Sequence, residues 1–208
     1  MIIERRKNMR NPKAQEWKAE ELSKNYIADY KPFNFVDGEG VRNSLYVSGC
    51  LFACEGCFNQ AVQNFHYGTP YTTELEDTII EDLKHDYVQG LTLLGGEPFL
   101  NTPVCLQLVK RVRQTFGHSK DIWCWSGYTF EELLQETPDK LALLAQIDIL
   151  VDGRFELSKR NLNLQFRGSS NQRIIDVAKS LKQKQAIIWE KCIDANQSYE
   201  QIKRQPMI

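Results

Sequence analysis

Four short apolar runs, each ending in a small polar loop, constrain the fold more than any other feature. They are Ser44–Ser48, Leu91–Leu94, Ile122–Trp125 and Ile149–Val151. Stretches with helical signals separate them. Thr73 and Glu76 form a T-x-x-E capping box, and Leu75, Ile79, Leu83 and Tyr87 then recur on one face. Thr102-Pro103 opens a second helix as cap and first-turn proline, with Val104, Leu108 and Val112 along one side and Val109 and Phe116 extending it. Thr129 and Glu132 repeat the capping box, and Thr137-Pro138 starts a further helix through Leu141, Leu144 and Ala145. Leu162–Phe166 is a candidate fifth strand.

Short, continuous apolar strands joined through helices imply an α/β fold with a parallel sheet covered on both faces and right-handed connections. Chemistry in such sheets gathers at the carboxyl ends of the strands. Here those ends carry Gly49-Cys50, Gly95-Gly96-Glu97, Ser126-Gly127 and Asp152-Gly153, so all four loops are expected around one mouth. So few strands do not complete an eight-stranded barrel, and the expectation is a partial, open (β/α) barrel. It spans residues 26–177, with a polar N-terminal extension over 1–25 and a charged C-terminal extension over 178–208.

The formal net charge of −1 supplies no overall field for nucleic acid or an anionic membrane. No run approaches the roughly 20 apolar residues of a membrane helix, and the first residues lack the apolar core of a signal peptide. The expected location is the cytoplasm, where thiols stay reduced. Phosphate-binding, zinc-protease and nucleophile-elbow motifs are absent from the sequence.

Three of the six cysteines crowd into Gly49-Cys50-Leu51-Phe52-Ala53-Cys54-Glu55-Gly56-Cys57-Phe58-Asn59, with spacing C-x3-C-x2-C. Crowding in a reducing compartment points to metal or redox work rather than disulfides. Three thiolates suit a [4Fe–4S] cluster with one iron left open for a small molecule. Structural zinc is the rival and requires a fourth ligand, for which His66 is the candidate. Three unligated thiols are the remaining alternative. Cys105, Cys124 and Cys192 fall singly in a helix, a strand and the tail, and read as unligated.

The cysteine spacing followed by an aromatic, together with Gly95-Gly96-Glu97-Pro98 at the next strand end, resembles the radical S-adenosylmethionine superfamily. More narrowly, Asp37-Gly38-Glu39-Gly40-Val41-Arg42, Tyr46-Val47-Ser48-Gly49-Cys50, Ile122–Tyr128, Val151–Phe155 and Arg167–Arg173 resemble the activating proteins of anaerobic, class III ribonucleotide reductases. The resemblance covers residues 26–175 and leaves both tails unexplained. Phe58 stands where the family commonly has tyrosine.

The resemblance implies a radical enzyme. Cys50, Cys54 and Cys57 would hold the cluster, and S-adenosylmethionine would chelate its open iron. Gly95 and Gly96 would let the backbone approach the methionyl ammonium, and Glu97 would place negative charge beside it. Gly56, Cys57 and Phe58 would contact the adenine, Ser126 the ribose or the methionyl carboxylate, and Asp152 the ribose hydroxyls. Arg154 and Arg167 would face the carboxylate or a partner. Asp37–Gly40 would line the access side, and Trp123 and Trp125 would be buried in the sheet. The implied partner is a glycyl radical enzyme, the anaerobic ribonucleotide reductase, with electrons from flavodoxin or ferredoxin. The alternatives are an activator of pyruvate formate-lyase or a related enzyme and, in another class, a zinc-binding interaction module.

Overall fold

The computed structural model describes residues 9–192. The parts of the two expected extensions over 1–8 and 193–208 lie outside the described residues. One sheet of seven strands runs in the order β3-β1-β2-β4-β5-β6-β7. Its strands are β1 (Tyr26–Asn34), β2 (Val41–Val47), β3 (Thr69–Pro70), β4 (Val88–Gly95), β5 (Asp121–Trp125), β6 (Ile149–Asp152) and β7 (Arg173–Asp176). β2, β4, β5 and β6 are parallel neighbours, as the four apolar runs lead one to expect. The margins differ from an all-parallel sheet: β1 pairs antiparallel with β2 and β3, and β7 antiparallel with β6. The sheet is mixed and does not close.

Helices link the parallel strands. They are α2 (Thr73–Leu83), α3 (Thr102–Phe116), α4 (Phe130–Leu133) and α5 (Pro138–Leu144); the short α1 (Ala19–Leu22) precedes the sheet and α6 (Val177–Gln183) follows it. Ile79, Leu83, Val104, Leu108, Val109, Val112, Leu143 and Leu144 form one core with Leu45, Val47, Leu91, Leu93, Ile122, Cys124 and Leu150 of the sheet. Strand alternation sends the next residues to the opposite face, which no linking helix covers. There Trp123, Ile149, Val151 and Ile174 make a second cluster with Trp125, Phe166 and Trp189. Burial on both faces therefore comes from helices on one side and from loop and tail aromatics on the other.

Several boundaries move. The cap of α2 is Thr72, whose hydroxyl accepts from the Leu75 amide, and Tyr87 lies beyond the helix and is exposed. Asn101 occupies the cap position of α3, but its side chain is used elsewhere. The Thr129–Glu132 capping box forms as expected. Leu162–Phe166 is loop, because its apolar residues meet no ladder, and Leu162 is exposed. The strand in that part of the chain is β7. Within the described part of the N-terminal extension, Trp17 and Ala19 are buried, and Trp17 packs in the core. Among the described residues, no helix is long and apolar enough to cross a membrane.

Candidate active site

The carboxyl ends of β2, β4, β5 and β6 open on one cavity of ≈ 710 Å³. That volume suits a small-molecule cofactor site. Cys50, Cys54 and Cys57 line it, with Gly56, Phe58, Gly95, Gly96, Glu97, Ser126, Gly127 and Gly153. All four strand-end loops thus meet at one mouth.

Hydrogen bonds stitch these loops together. The Gly96 amide donates to the Val47 carbonyl at 2.8 Å, and the Glu97 amide to the Gly49 carbonyl at 2.8 Å. The Ser126 amide donates to Val151 at 2.9 Å, and the Gly153 amide to Tyr128 at 2.9 Å. Glu97 is buried, and its carboxylate accepts from the Gly127 amide at 2.8 Å, the Phe99 amide at 3.1 Å and the Ser126 hydroxyl at 2.9 Å. Burial pushes its pKa up to about 7 against these donors. The buried Asn101 amide donates to the carbonyls of Glu97 at 3.0 Å and Gly49 at 3.4 Å.

Gly96 packs so tightly on the first loop that a Cβ there would sit 2.5 Å from the Gly49 carbonyl oxygen. At Gly127 a Cβ would lie 2.4 Å from the Phe52 ring. These glycines are needed for close approach of backbone to neighbour.

Burial raises the thiol pKa of Cys50, with the Glu97 charge adding to it. Burial also raises that of Cys54, reinforced by Cys57 and opposed by the Phe155 amide and the Arg154 charge. Such thiols lose their protons when a metal binds, so their affinity for it depends on pH.

A cubane cluster suits this donor set: three cysteine sulfurs on one loop, facing a cavity with further room beside them. Zinc fits less well. His66 is exposed and packs on Tyr26 instead of entering the cavity. Among the described residues, no three His, Cys, Asp or Glu side chains converge as one ion requires. Ligands on separate irons of a cluster need no such convergence.

Residues 36–175 match the family model described as a 4Fe-4S single cluster domain. The anaerobic ribonucleoside-triphosphate reductase-activating protein of Pasteurella multocida is 44% identical over 152 residues, covering 71% of this chain and 94% of the relative. That of Vibrio cholerae is 46% identical over 147 residues, covering 69% and 92%. The protein of the same name from Escherichia coli K12 is 40% identical over 147 residues, covering 69% and 93%. The chain belongs to the family of anaerobic ribonucleoside-triphosphate reductase-activating proteins. These matches support neither a pyruvate formate-lyase activator nor a zinc module.

The remaining site candidates of this family member divide by position. Phe58 is 99% exposed at the cavity rim, and Arg167 also lines the cavity. Asp152 is buried beside it, but Gly153 does the lining: the Asp152 carboxylate accepts from Arg173 at 2.5 and 3.0 Å and from the Phe130 amide at 2.8 Å. Arg154 is held by Glu132 at 2.9 and 3.0 Å and does not line the cavity. The Asp37–Gly40 turn also stays outside it. That turn enters β2 at its amino end, with Gly38 against Arg42 and Trp123 and Gly40 against Gln89. Cys105 and Cys124 are buried in the helix-side core, and Arg167 donates to the Cys192 sulfur.

Sequence reasoning buried Trp125 in the sheet and overlooked Phe52 and most of the 155–172 loop, including Leu157, Leu162 and Leu164; all of these line the cavity, and Trp125 is only half-buried. Alternation along β5 was the available signal for Trp125: with Cys124 facing the helices, its neighbours face the other way.

Proposed function

We propose that this chain activates an anaerobic ribonucleoside-triphosphate reductase through radical S-adenosylmethionine chemistry. The observation that carries it is the meeting of three cysteines of one loop with Gly95–Glu97, Ser126–Gly127 and Gly153 around a single cavity. The names of the relatives support the reductase as partner. In this reading residues 26–177 form the partial, open barrel that carries the site, flanked by the two extensions.

Cys50, Cys54 and Cys57 are the proposed ligands of a [4Fe–4S] cluster with one open iron. A reduced cluster held there would supply the one electron needed to cleave bound S-adenosylmethionine to methionine and a 5′-deoxyadenosyl radical, the hydrogen-abstracting species for a glycine of the partner.

The chain's own residues bind and orient. Gly95 and Gly96 offer backbone at close range to the methionyl ammonium. Glu97 adds negative charge beneath it and keeps the loop in place. Gly56, Cys57 and Phe58 border the adenine, and Ser126 faces the ribose or carboxylate. Asp152 acts from behind, holding the start of α4 and Arg173. The apolar rim formed by Phe58, Leu157 and Leu162 excludes water and meets the partner's glycine-bearing segment. The cytoplasm, with flavodoxin or ferredoxin as electron donor, is the proposed setting.

The test is anaerobic reconstitution followed by assay of iron, sulfide and zinc, then reduction with S-adenosylmethionine. The expected products are 5′-deoxyadenosine and methionine, and co-incubation with the reductase yields a glycyl radical by electron paramagnetic resonance. Zinc retained without iron sinks the reading. Cleavage at the native rate by Cys54→Ala overturns the ligand assignment. Active cleavage with no glycyl signal overturns the partner.

A further inference from the structure

Residues 10–23 lie outside the stretch that matches the family model. They nevertheless grip the loop that carries Cys50 and Cys54. Phe52, midway between those cysteines, is buried with its ring edge-to-face on Trp17 at 5.1 Å. Its carbonyl accepts from the Arg10 amide at 2.8 Å. The Arg154 guanidinium lies over the same ring at 4.6 Å and donates back to the Arg10 carbonyl at 3.3 Å.

Trp17 is itself fixed. Its carbonyl accepts at 2.6 Å from the buried Lys140 ammonium, which also binds Glu136 at 2.8 Å and the Tyr128 hydroxyl at 3.1 Å. Further along, the Ser23 hydroxyl donates at 3.1 Å to Asn101, the residue that holds Gly49 and Glu97.

The loop needs such support. Ala53 has φ +52°, left-handed backbone that a residue with a Cβ resists. Conformations of that kind persist only where their surroundings over-determine them. Here Phe52 is fixed by ring and carbonyl immediately before Ala53, and Gly49 is fixed immediately before Cys50.

We infer that residues 10–23 are a positioning brace, setting the arrangement of Cys50 and Cys54 for a cluster through Phe52 and Gly49. This rests on the cluster reading of the site. It gives the N-terminal extension a role in the site without contact with substrate.

The test is the rate at which a chelator strips iron from the reconstituted full-length protein, beside the thermal midpoint of the cluster-free form. Trp17→Ala removes the aromatic edge, and iron should leave roughly tenfold faster, equivalent to about 1.4 kcal/mol. Trp17→Phe keeps an aromatic edge and should return the rate to within about twofold of wild type. Leu108→Ala, a core truncation in the middle of α3, should lower the midpoint and leave iron loss unchanged. Wild-type iron loss in Trp17→Ala, or equally fast loss in Leu108→Ala, overturns the brace.

Hydrogen exchange on the wild type serves even if Trp17→Ala does not fold. Protection of the Arg10 amide should fall when iron is removed, in step with amides of residues 50–57. Unchanged Arg10 protection also overturns the brace. Failure of the wild type to hold iron at all refutes the cluster reading itself, before any variant is compared.

Discussion

Replacing Gly96 with alanine tests whether close backbone approach, rather than loop flexibility, makes the site. The new Cβ would stand 2.5 Å from the Gly49 oxygen and 2.9 Å from its carbon and nitrogen. All three are backbone atoms, so no side chain can swing aside. Ordinary contact requires the two loops to part by roughly an ångström. The Glu97-to-Gly49 and Gly96-to-Val47 hydrogen bonds span that gap. Losing one costs about 1 kcal/mol, and overpacking adds about 1–3 kcal/mol. The cluster-free variant should therefore unfold at lower urea, by about 2–4 kcal/mol in all. The functional loss should be larger, because an ångström of misplacement at a reacting centre costs about a hundredfold. Gly49 directly precedes Cys50, so both the proposed ligand and the proposed ammonium site move. The assay is 5′-deoxyadenosine formation without partner, over a range of S-adenosylmethionine concentrations. Wild-type kcat/KM in a Gly96→Ala protein with normal iron content would refute the reasoning.

Glu97 gives a pH signature. Its folded pKa of about 7 lies above its ordinary 4.5, so the native state holds the extra proton between these values. Stability of the cluster-free chain is then fully present below pH 4.5 and falls as pH rises through about 7. The loss is up to about 3 kcal/mol, and Glu97→Gln should flatten that slope in urea titrations at pH 5 and pH 8; an unchanged slope counts against it. Lys140→Met strands a buried Glu136 carboxylate and should cost about 3–5 kcal/mol. Adding Glu136→Leu should recover much of that loss, and calorimetry showing no recovery would refute the pairing. Phe58→Ala, at a fully exposed rim position, should change stability by less than about 0.5 kcal/mol while weakening S-adenosylmethionine binding by equilibrium dialysis. Unaltered affinity would remove Phe58 from the adenine site.

The parallel centre of the sheet was legible because each strand is a continuous apolar run with a glycine-bearing stop. β1 was not, since only the two-residue β3 flanks its outer side, Ile27 is its one buried side chain, and Pro32 and register shifts interrupt it. β7 is four residues long and follows a polar loop, so it offered no period to read. The cysteines were legible as candidate site residues by their C-x3-C-x2-C spacing just after an apolar strand, and Gly95–Glu97 because they end one. Asp152 shows the limit of that logic. Residues at a strand end alternate in facing, and the carboxylate that follows Val151 is taken by Arg173 and the Phe130 amide. The role of Asn101 was hidden for a related reason. Thr102-Pro103 reads as the cap and start of the helix, which leaves Asn101 before it without a role, yet its amide reaches across to Gly49 and Glu97.

These misreadings share a cause in the geometry of an open sheet. Where parallel strands end, ladder hydrogen bonding ends too, and the emerging loops have backbone groups with no regular partner. A cavity built from four such loops has to satisfy them by contacts between loops. The amide bonds from Glu97 to Gly49, from Gly127 to the Glu97 carboxylate and from Gly153 to Tyr128 do this. A buried Glu97 that accepts from Gly127, Phe99 and Ser126 then serves as a structural crosslink between loops. Groups coupled in this way are not energetically independent. The residues nearest the proposed chemistry therefore cannot be separated into those that hold the mouth together and those that face what enters it.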